Sequence, residues 1–131
     1  MIRSMPVLQV ENVTRSIEFY VSKLGFASHG TWGDGPDFCI VQRGTVTFAL
    51  DRTRNTGTTV PLNQYWAAYV YVDDADALYA EFAGNGVEIA REPCDAEYGL
   101  RDFDIRDPDG HLIGFGHMLS QQPSEPGLMP T

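Results

Sequence analysis

The chain carries one pattern of hydrophobic and polar positions twice. Residues 10–20, VENVTRSIEFY, return in degenerate form as residues 72–82, VDDADALYAEF, about 62 positions later. In each copy an alternating apolar stretch leads through acidic or Asn residues into an amphipathic helix, which ends near a glycine. Such a repeat predicts two similar modules that face each other across a cleft, so the side chains lining that cleft are the first candidates for function.

The first module is predicted to contain a strand, a helix and a hairpin. Residues 7–10 alternate as a strand, and the helix that follows has Asn12 or Thr14 as its N-cap. Apolar residues at helical spacing define its buried stripe. Residues 38–42 and 45–50 are typical of two strands that are joined by a tight turn at a glycine.

The second module is predicted to repeat this order. A strand over residues 64–72 opens it, and its helix turns Leu78 and Phe82 inward. The sequence DPDG at residues 107–110 is typical of a turn between the last two strands. The three strands after the helix are predicted at residues 88–91, 101–106 and 112–117.

The chain is expected to form one domain. Its length of 131 residues supports an ordinary core. We place the domain at residues 1–119, with module one at about 5–51 and module two at about 64–118. The polar stretch at about 52–63 is the expected linker, and the Pro- and Ser-rich residues 120–131 are the expected flexible tail.

The acidic composition narrows the classes of partner. With a net charge of −9 and a pI near 4.5, the chain lacks the clustered Lys and Arg that nucleic acid binding requires, and its field favours a cationic ligand. No apolar run of about 18 residues is present, so we expect no membrane partner and a cytoplasmic location. Cys39 and Cys94 are expected to be free structural thiols.

Two sequence signatures resemble those of a known family. Residues 16–20, SIEFY, precede LGF at residues 24–26, and DPDGH follows late in the chain at residues 107–111. Together with the repeated order βαβββ, they resemble the vicinal oxygen chelate superfamily, which contains glyoxalase I, extradiol dioxygenases, fosfomycin-resistance enzymes and bleomycin-resistance proteins. The resemblance implies an α+β fold, in which two tandem βαβββ modules form a cup-shaped mixed eight-stranded sheet with helices on the convex side. It also implies a homodimer with a ligand site on the concave face.

Metal-dependent members of this superfamily place His or Glu ligands at four inward positions. The resemblance maps these positions onto Met5, Ala49, Ala67 and Gly114. None of the four offers the imidazole or carboxylate that a catalytic metal needs. We therefore expect neither a metal nor a cofactor.

The period-two alternation of the strands supports this assignment independently. Large apolar residues such as Phe115 suit the helix side, which leaves small and polar residues on the other. One interpretation is a ligand pocket on that concave face. In the alternative, the opposing strands close together and Met5 and the tyrosines fill the space. The predicted concave face comprises Val7, Gln9, Thr47, Ala49, Ala67, Tyr69, Tyr71, Gly114 and Gly116.

Within the superfamily, the chain most resembles the metal-free bleomycin-resistance branch. Residues 38–44, FCIVQRG, are similar to a strand-turn stretch in which a Trp stands at the position of Phe38. Tyr98, followed by a glycine, matches an aromatic residue that stacks on the drug. That branch consists of acidic dimers that sequester a cationic, planar-ringed antibiotic between subunits without chemistry. The resemblance therefore implies ring stacking at both positions.

Two acidic residues and two tryptophans complete the candidates. Asp102 and Asp104 alternate with apolar residues, so their carboxylates point either to the cleft, where they could meet a cation, or to solvent. Trp32 is placed in the loop before Phe38, at the rim of a groove. Trp66 is placed on the helix side, in the core or a subunit interface.

The sequence thus predicts a metal-independent protein of the antibiotic-resistance type, which sequesters a small aromatic molecule. The negative net charge of the chain favours a cationic one. The main alternative is an enzyme, either a glyoxalase-like lyase or a ring-cleaving dioxygenase with displaced metal ligands. A cofactor-free isomerase or an accessory subunit on the same scaffold is a third. The predicted ligand-binding residues are Gln9, Trp32, Phe38, Thr47, Ala49, Ala67, Tyr69, Tyr71, Tyr98, Asp102, Asp104 and Gly114.

Overall fold

The computed structural model describes residues 1–52 and 64–119, and within these ranges the chain forms two βαβββ modules. The predicted α+β fold with tandem modules is confirmed. The first module consists of β1 Val7–Val10, α1 Val13–Ser22, β2 Ala27–Trp32, β3 Phe38–Arg43 and β4 Val46–Arg52. The second consists of β5 Trp66–Tyr71, α2 Ala75–Gly84, β6 Glu88–Asp95, β7 Leu100–Arg106 and β8 Leu112–Met118.

Each module forms its own four-stranded mixed sheet. The strand order is β1-β4-β3-β2 in the first sheet and β5-β8-β7-β6 in the second. The first and last strands of a module pair in parallel because the chain between them crosses over through a helix. The other pairs are antiparallel. The strands expected from the resemblance are therefore present as two sheets with the same order.

Both helices begin at a polar cap and end before a glycine. The Asn12 side chain accepts a hydrogen bond from the Arg15 amide at the start of α1, and the Asp74 side chain caps α2 in the same way. Gly25 has a φ of 73°, which L side chains rarely adopt, so the chain reverses there after α1. The predicted cap at Asn12 and the stop at Gly25 are confirmed.

The two modules share one hydrophobic core on the helix side of their sheets. Phe48 in β4 and Phe115 in β8 are buried there. Phe48 stacks on Phe26 with ring centroids 5.5 Å apart, and Phe115 stacks on Phe103 at the same distance. The helices add edge-to-face rings to both clusters, Tyr20 to the first and Tyr79 and Phe82 to the second.

The two sequence signatures contact each other across the modules. The Tyr20 hydroxyl of α1 donates to Asp107 Oδ2 at 2.9 Å, and Arg15 pairs with Asp109 at 3.1 Å. Asp107 Oδ1 also accepts from the backbone amides of Asp109 and His111, so the predicted DPDG turn is confirmed. Burial raises the pKa of Asp107, although the Tyr20 hydrogen bond acts in the opposite direction.

Several predicted boundaries differ from those observed. The prediction gave no range for β2, because its sequence ASHGTW has no apolar alternation and all six residues are exposed at the edge of the sheet. Trp32 ends this strand opposite Phe38, so its predicted placement in a loop is wrong. The strand predicted from residue 64 begins at Trp66.

Nearly all of the predicted linker, and the predicted tail, lie outside the described residues. In the described ranges, no helix has both the length and the apolarity that a membrane crossing requires.

Candidate functional site

Each sheet has a second face, opposite the helices, which we call its open face. Paired residues on neighbouring strands share a face. In the second sheet, Tyr69 lies beside Gly114, which lies beside Asp104. The next row contains Tyr71, Gly116 and Asp102. The second open face therefore collects most of the predicted site residues of module two.

Glycines on this face lie directly beneath aromatic rings. A Cβ atom added at Gly114 would lie 2.8 Å from both Trp66 Nε1 and Tyr69 Cδ2, which is closer than real Cβ contacts. A Cβ at Gly116 would collide with the Tyr69 hydroxyl. The small residues therefore make room for rings of the same sheet. Tyr69 thus fills part of the space, as the alternative expected, while a ligand site on this face stays a prediction.

Trp66 belongs to the open face, so its predicted position on the helix side is wrong. Its Nε1 donates to Asp104 Oδ1 at 2.8 Å, and its ring lies 4.7 Å from that of Tyr69 and 6.2 Å from that of Tyr98. The reason is a register shift in the β5–β8 pairing between Trp66 and Ala68. This irregularity changes the strand parity, and Ala67 lies exposed within it.

Arg91 in β6 is the centre of the polar network on this face. Its Nε donates to Asp104 at 3.0 Å, and its Nη2 donates to Asp102 at 2.5 Å and to Asp104 at 3.3 Å. Its Nη1 donates to Cys94 Sγ and to the Asp102 carbonyl oxygen. Because a guanidinium has five N–H donors, this set uses all of them. Arg91 therefore has no donor left for an anionic ligand.

The two carboxylates are also occupied from within the sheet. Asp102 Oδ2 accepts hydrogen bonds from the hydroxyls of Tyr69 and Tyr98, at 2.9 and 2.5 Å. Asp102 and Asp104 are buried, so the prediction of a solvated strand face is wrong. They do meet a cation on the open face, but that cation is Arg91. Their charge orders the site and is not presented to a ligand.

The tyrosine hydroxyls of this network stay protonated at neutral pH. Burial, together with the hydrogen bond to Asp102, raises the pKa of Tyr69 and of Tyr98 well above the usual value for tyrosine. A general base must lose its proton near the working pH. These two hydroxyls are therefore unsuited to abstract a proton, but each offers oxygen lone pairs as hydrogen-bond acceptors.

Ring surface is what the second open face presents to solvent. Tyr71 is 61% exposed, and Trp66 and Tyr98 are each 41% exposed. The Tyr71 ring lies 5.4 Å from that of Tyr69, so it extends the same cluster. Adjacent ring surfaces with fixed phenol oxygens suit stacking on a planar compound.

The first open face carries different side chains. Gln9 donates to Asp51 at 3.2 Å, and Phe38 contacts Trp32 with ring centroids 5.7 Å apart. Ala49 is fully buried in the row that contains Val7 and Ile40. Within the described ranges, no buried ion pair lies on this face. The sites predicted in module one lie on this first open face, and they are Gln9, Trp32, Phe38, Thr47 and Ala49.

The residues at the family's metal positions do not fit a metal. Met5 and Ala67 are exposed, Ala49 and Gly114 are buried, and none carries an imidazole or carboxylate. No group of three His, Cys, Asp or Glu side chains that could hold an ion occurs in the described part of the chain.

Sequence reasoning missed Arg91, although a signal was present. Asp102 and Asp104 alternate with buried apolar residues, so both carboxylates must lie on one face of β7. A buried pair of carboxylates needs a cation nearby. The neighbouring predicted strand offered Arg91 for this role.

Comparison with known proteins assigns the fold to a family. A sequence search of curated proteins gives no significant match. Among solved structures, TioX from Micromonospora sp. ML1 superposes with a TM-score of 0.73 at 21% identity, covering 89% of this chain and 98% of TioX. The bleomycin-binding protein from bleomycin-producing Streptomyces verticillus, complexed with copper(II)-bleomycin, has a TM-score of 0.68 at 28% identity, covering 88% and 94%.

A third structure and a family model agree with this assignment. TnmS3, an antibiotic binding protein from Streptomyces sp. CB03234, has a TM-score of 0.67 at 23% identity, covering 89% of this chain and 97% of TnmS3. The family model matches residues 4–115, which span both modules. The chain therefore belongs to the Glyoxalase/Bleomycin resistance protein/Dioxygenase superfamily.

Proposed function

We propose that this protein binds a planar aromatic compound on the second open face and sequesters it without chemistry, metal or cofactor. The observation that carries the proposal is the saturated network of Arg91, Asp102 and Asp104, which holds the rings of this face in fixed positions. Rigid rings bind with little loss of conformational entropy, and each stacked pair contributes about 0.5–1.5 kcal/mol beyond area burial.

Two neighbours support a ligand of this class. The Streptomyces verticillus protein binds bleomycin, and TnmS3 is an antibiotic binding protein. In this chain, the acidic residues of the face are already paired, so ring stacking is the main source of affinity. The net charge of −9 favours a cationic compound only at longer range.

We further propose that the protein acts as a homodimer. Tyr71, Trp66 and Trp32 expose aromatic surface in the single chain, and exposed rings of this size favour a covering partner. A second copy would close a groove over the bound compound. Sedimentation at micromolar concentration is expected to give twice the chain mass of 14.5 kDa. A monomer, with and without ligand, would contradict this part of the proposal. The cytoplasmic location remains a prediction from the sequence.

The binding test uses the two tryptophans as separate reporters. Trp32→Phe leaves Trp66 on the second open face, and Trp66→Phe leaves Trp32 on the first. Metal-free bleomycin and a panel of planar aromatic antibiotics are titrated in the presence of EDTA. We expect saturable quenching of Trp66 and little change at Trp32. Equal quenching of both reporters would refute the assignment to the second face, and no saturable quenching by any compound would refute the function.

Metal independence has its own test. Elemental analysis of natively purified protein is expected to find no stoichiometric Zn, Ni, Mn or Fe. If such a metal were present, and if its removal lowered stability or abolished antibiotic binding, the enzymatic alternative would replace sequestration.

A further inference from the structure

A cavity of about 590 Å³ lies between the two modules, mostly on the helix side of the sheets. The β3–β4 hairpin of the first module forms one wall, and α2 with the end of β5 forms the other. Val70 and Phe115, which line it, belong to the core on the helix side of the second sheet. Tyr71 also lines the cavity, so the cavity meets the ring cluster of the second open face at this one residue.

Apolar side chains make up about half of the cavity lining, and this apolar part, which we call the floor, comes from both modules. Phe26 and Val46 contribute from the first module, and Val70, Leu78 and Phe82 contribute from the second. Cavities of about 300–1,000 Å³ that combine apolar side chains with a few polar groups are typical of sites for small organic molecules. The space therefore suits an alkyl or aryl group.

The cavity lining carries more acidic than basic residues. Arg43 is the only basic residue among them, and it pairs with Glu81 at 2.7 and 3.1 Å while also donating to the Leu24 carbonyl oxygen. The hydrogen bond from Arg43 holds the pKa of Glu81 below its usual value, so this pair stays ionised. Asp73 and Asp74 also line the cavity, and neither has an ion-pair partner among the described residues.

We propose that this cavity is a second binding site, which takes an apolar compound bearing one protonated amine. The apolar floor holds the hydrocarbon part, while Asp73 and Asp74 at the rim attract the ammonium group. Charge complementarity excludes an anionic compound, because the one guanidinium is already held by Glu81. This site shares Tyr71 with the second open face, but it does not rest on the function proposed for that face.

The experiment follows backbone amide shifts by NMR during titration with 1-naphthylmethylamine and, for comparison, neutral 1-naphthylmethanol. The amine is expected to shift the amides of Thr45, Ala77 and Leu78 saturably and to bind at least about threefold tighter than the alcohol. Equal affinity for the two compounds would overturn the proposal. So would shifts confined to the second open face.

A charge variant and its matched control separate the rim from the overall charge. Asp73→Asn with Asp74→Asn removes two negative charges, while Asn keeps the N-cap of α2. We expect amine binding to weaken about threefold to tenfold, to the level of the alcohol. Glu88→Gln with Glu92→Gln removes the same charge from exposed positions of β6 and should change affinity less than twofold. Equal losses in both variants would overturn the proposal.

A blocking variant distinguishes this site from the second open face. Ala77 is exposed on α2 and lines the cavity, so Ala77→Phe fills the space without disturbing the core. It should abolish amine binding and leave binding of the planar antibiotic unchanged. Amine binding that survives Ala77→Phe would contradict the site. Concentration-dependent shifts of the same amides without any probe would show that a second copy occupies the cavity, which also overturns the proposal.

Discussion

The open faces of the two modules share a backbone register but carry contrasting side chains. At the position of Val7 in β1 the second module has Tyr69 in β5, and at the position of Ala49 in β4 it has Gly114 in β8. In the second module the residue on β5 is thus larger than its counterpart in the first module, and the residue on β8 is smaller. The duplicated backbone accepts a ring on this face only because the adjacent strand has lost its Cβ atom.

The same contrast extends to the third strand. Ile40 beside Ala49 corresponds to Asp104 beside Gly114, and Phe38 corresponds to Asp102. The helix sides of the two sheets, in contrast, keep equivalent stacked rings. The core and the diverged side chains therefore occupy opposite faces of the same strands, so one face can change while the other maintains the fold.

The largest expected effect is the loss of the cation that the second face requires. Arg91→Met leaves the buried carboxylates of Asp102 and Asp104 without a cation, which costs about 3–5 kcal/mol of unfolding free energy. Arg52→Met breaks the exposed pair with Asp37 in the first module and should cost less than about 1 kcal/mol. Urea denaturation at neutral pH measures both. Similar losses in the two variants would mean that the Arg91 network stabilises the fold no more than an exposed ion pair does.

The contact between modules should give the next largest effect. Tyr20→Phe removes a hydrogen bond to the Asp107 carboxylate and is expected to cost about 1.5–3 kcal/mol at neutral pH. Phe82, the equivalent ring in α2, has no hydroxyl, so only the first module makes this bond. The cost is present where Asp107 is ionised and disappears as the pH falls and the carboxyl becomes protonated.

The direction of this pH dependence follows from the linkage between protonation and folding. Burial raises the folded-state pKa of Asp107, so its contribution to stability is present below the unfolded-state pKa, about 4, and is lost as the pH rises through the folded-state pKa. Tyr20→Phe removes an interaction that lowers the pKa of Asp107. The variant therefore loses more stability than the unsubstituted protein as the pH rises. Urea denaturation between pH 4 and pH 7 tests the slope, and Asp107→Asn with Tyr20→Phe is the control that should abolish the difference. A cost independent of pH would refute the role of the carboxylate.

The volume exchange between the modules predicts a destabilisation of about 1–3 kcal/mol when a Cβ atom is added at Gly114. Gly114→Ala pushes a Cβ against the rings of Trp66 and Tyr69 and should destabilise by this amount. Adding Tyr69→Val recreates the Val7 and Ala49 pair of the first module. The double variant is expected to be less destabilised than the sum of the single variants by about 0.5–3 kcal/mol. Strict additivity in a double-mutant cycle would show that the two positions do not compensate each other.

The sequence predicted the parts of the molecule in which a local rule decides the structure. The Asn12 cap, the DPDG turn and the burial of Phe48 and Phe115 each follow from hydrogen bonding or strand alternation. β2 was not located because an exposed edge strand needs no apolar alternation. β2 adopts a strand conformation because it pairs with β3, and its own sequence pattern does not indicate this.

The candidate site was less predictable because it depends on tertiary register. One irregularity beside Ala67 moves Trp66 to the opposite face, and period-two counting cannot detect it. The carboxylates of Asp102 and Asp104 were placed on the correct strand, but their neutralisation by Arg91 depends on how β6 pairs with β7. Patterns along one strand do not determine which side chains meet between strands.

The smallest expected effect compares one equivalent pair on the open faces. Tyr71→Ala removes an exposed ring from the second face and should weaken antibiotic binding about twofold to tenfold, which corresponds to one stacking contact. Gln9→Ala, at the equivalent position of β1, removes a side chain that already donates to Asp51 and should change affinity less than twofold. Both substitutions lie on exposed positions, so thermal unfolding should be nearly unchanged. Fluorescence titration measures the ratio of the two effects. A loss at Gln9 as large as that at Tyr71 would mean that both modules hold the ligand, and the contrast between their open faces would then concern stability rather than recognition.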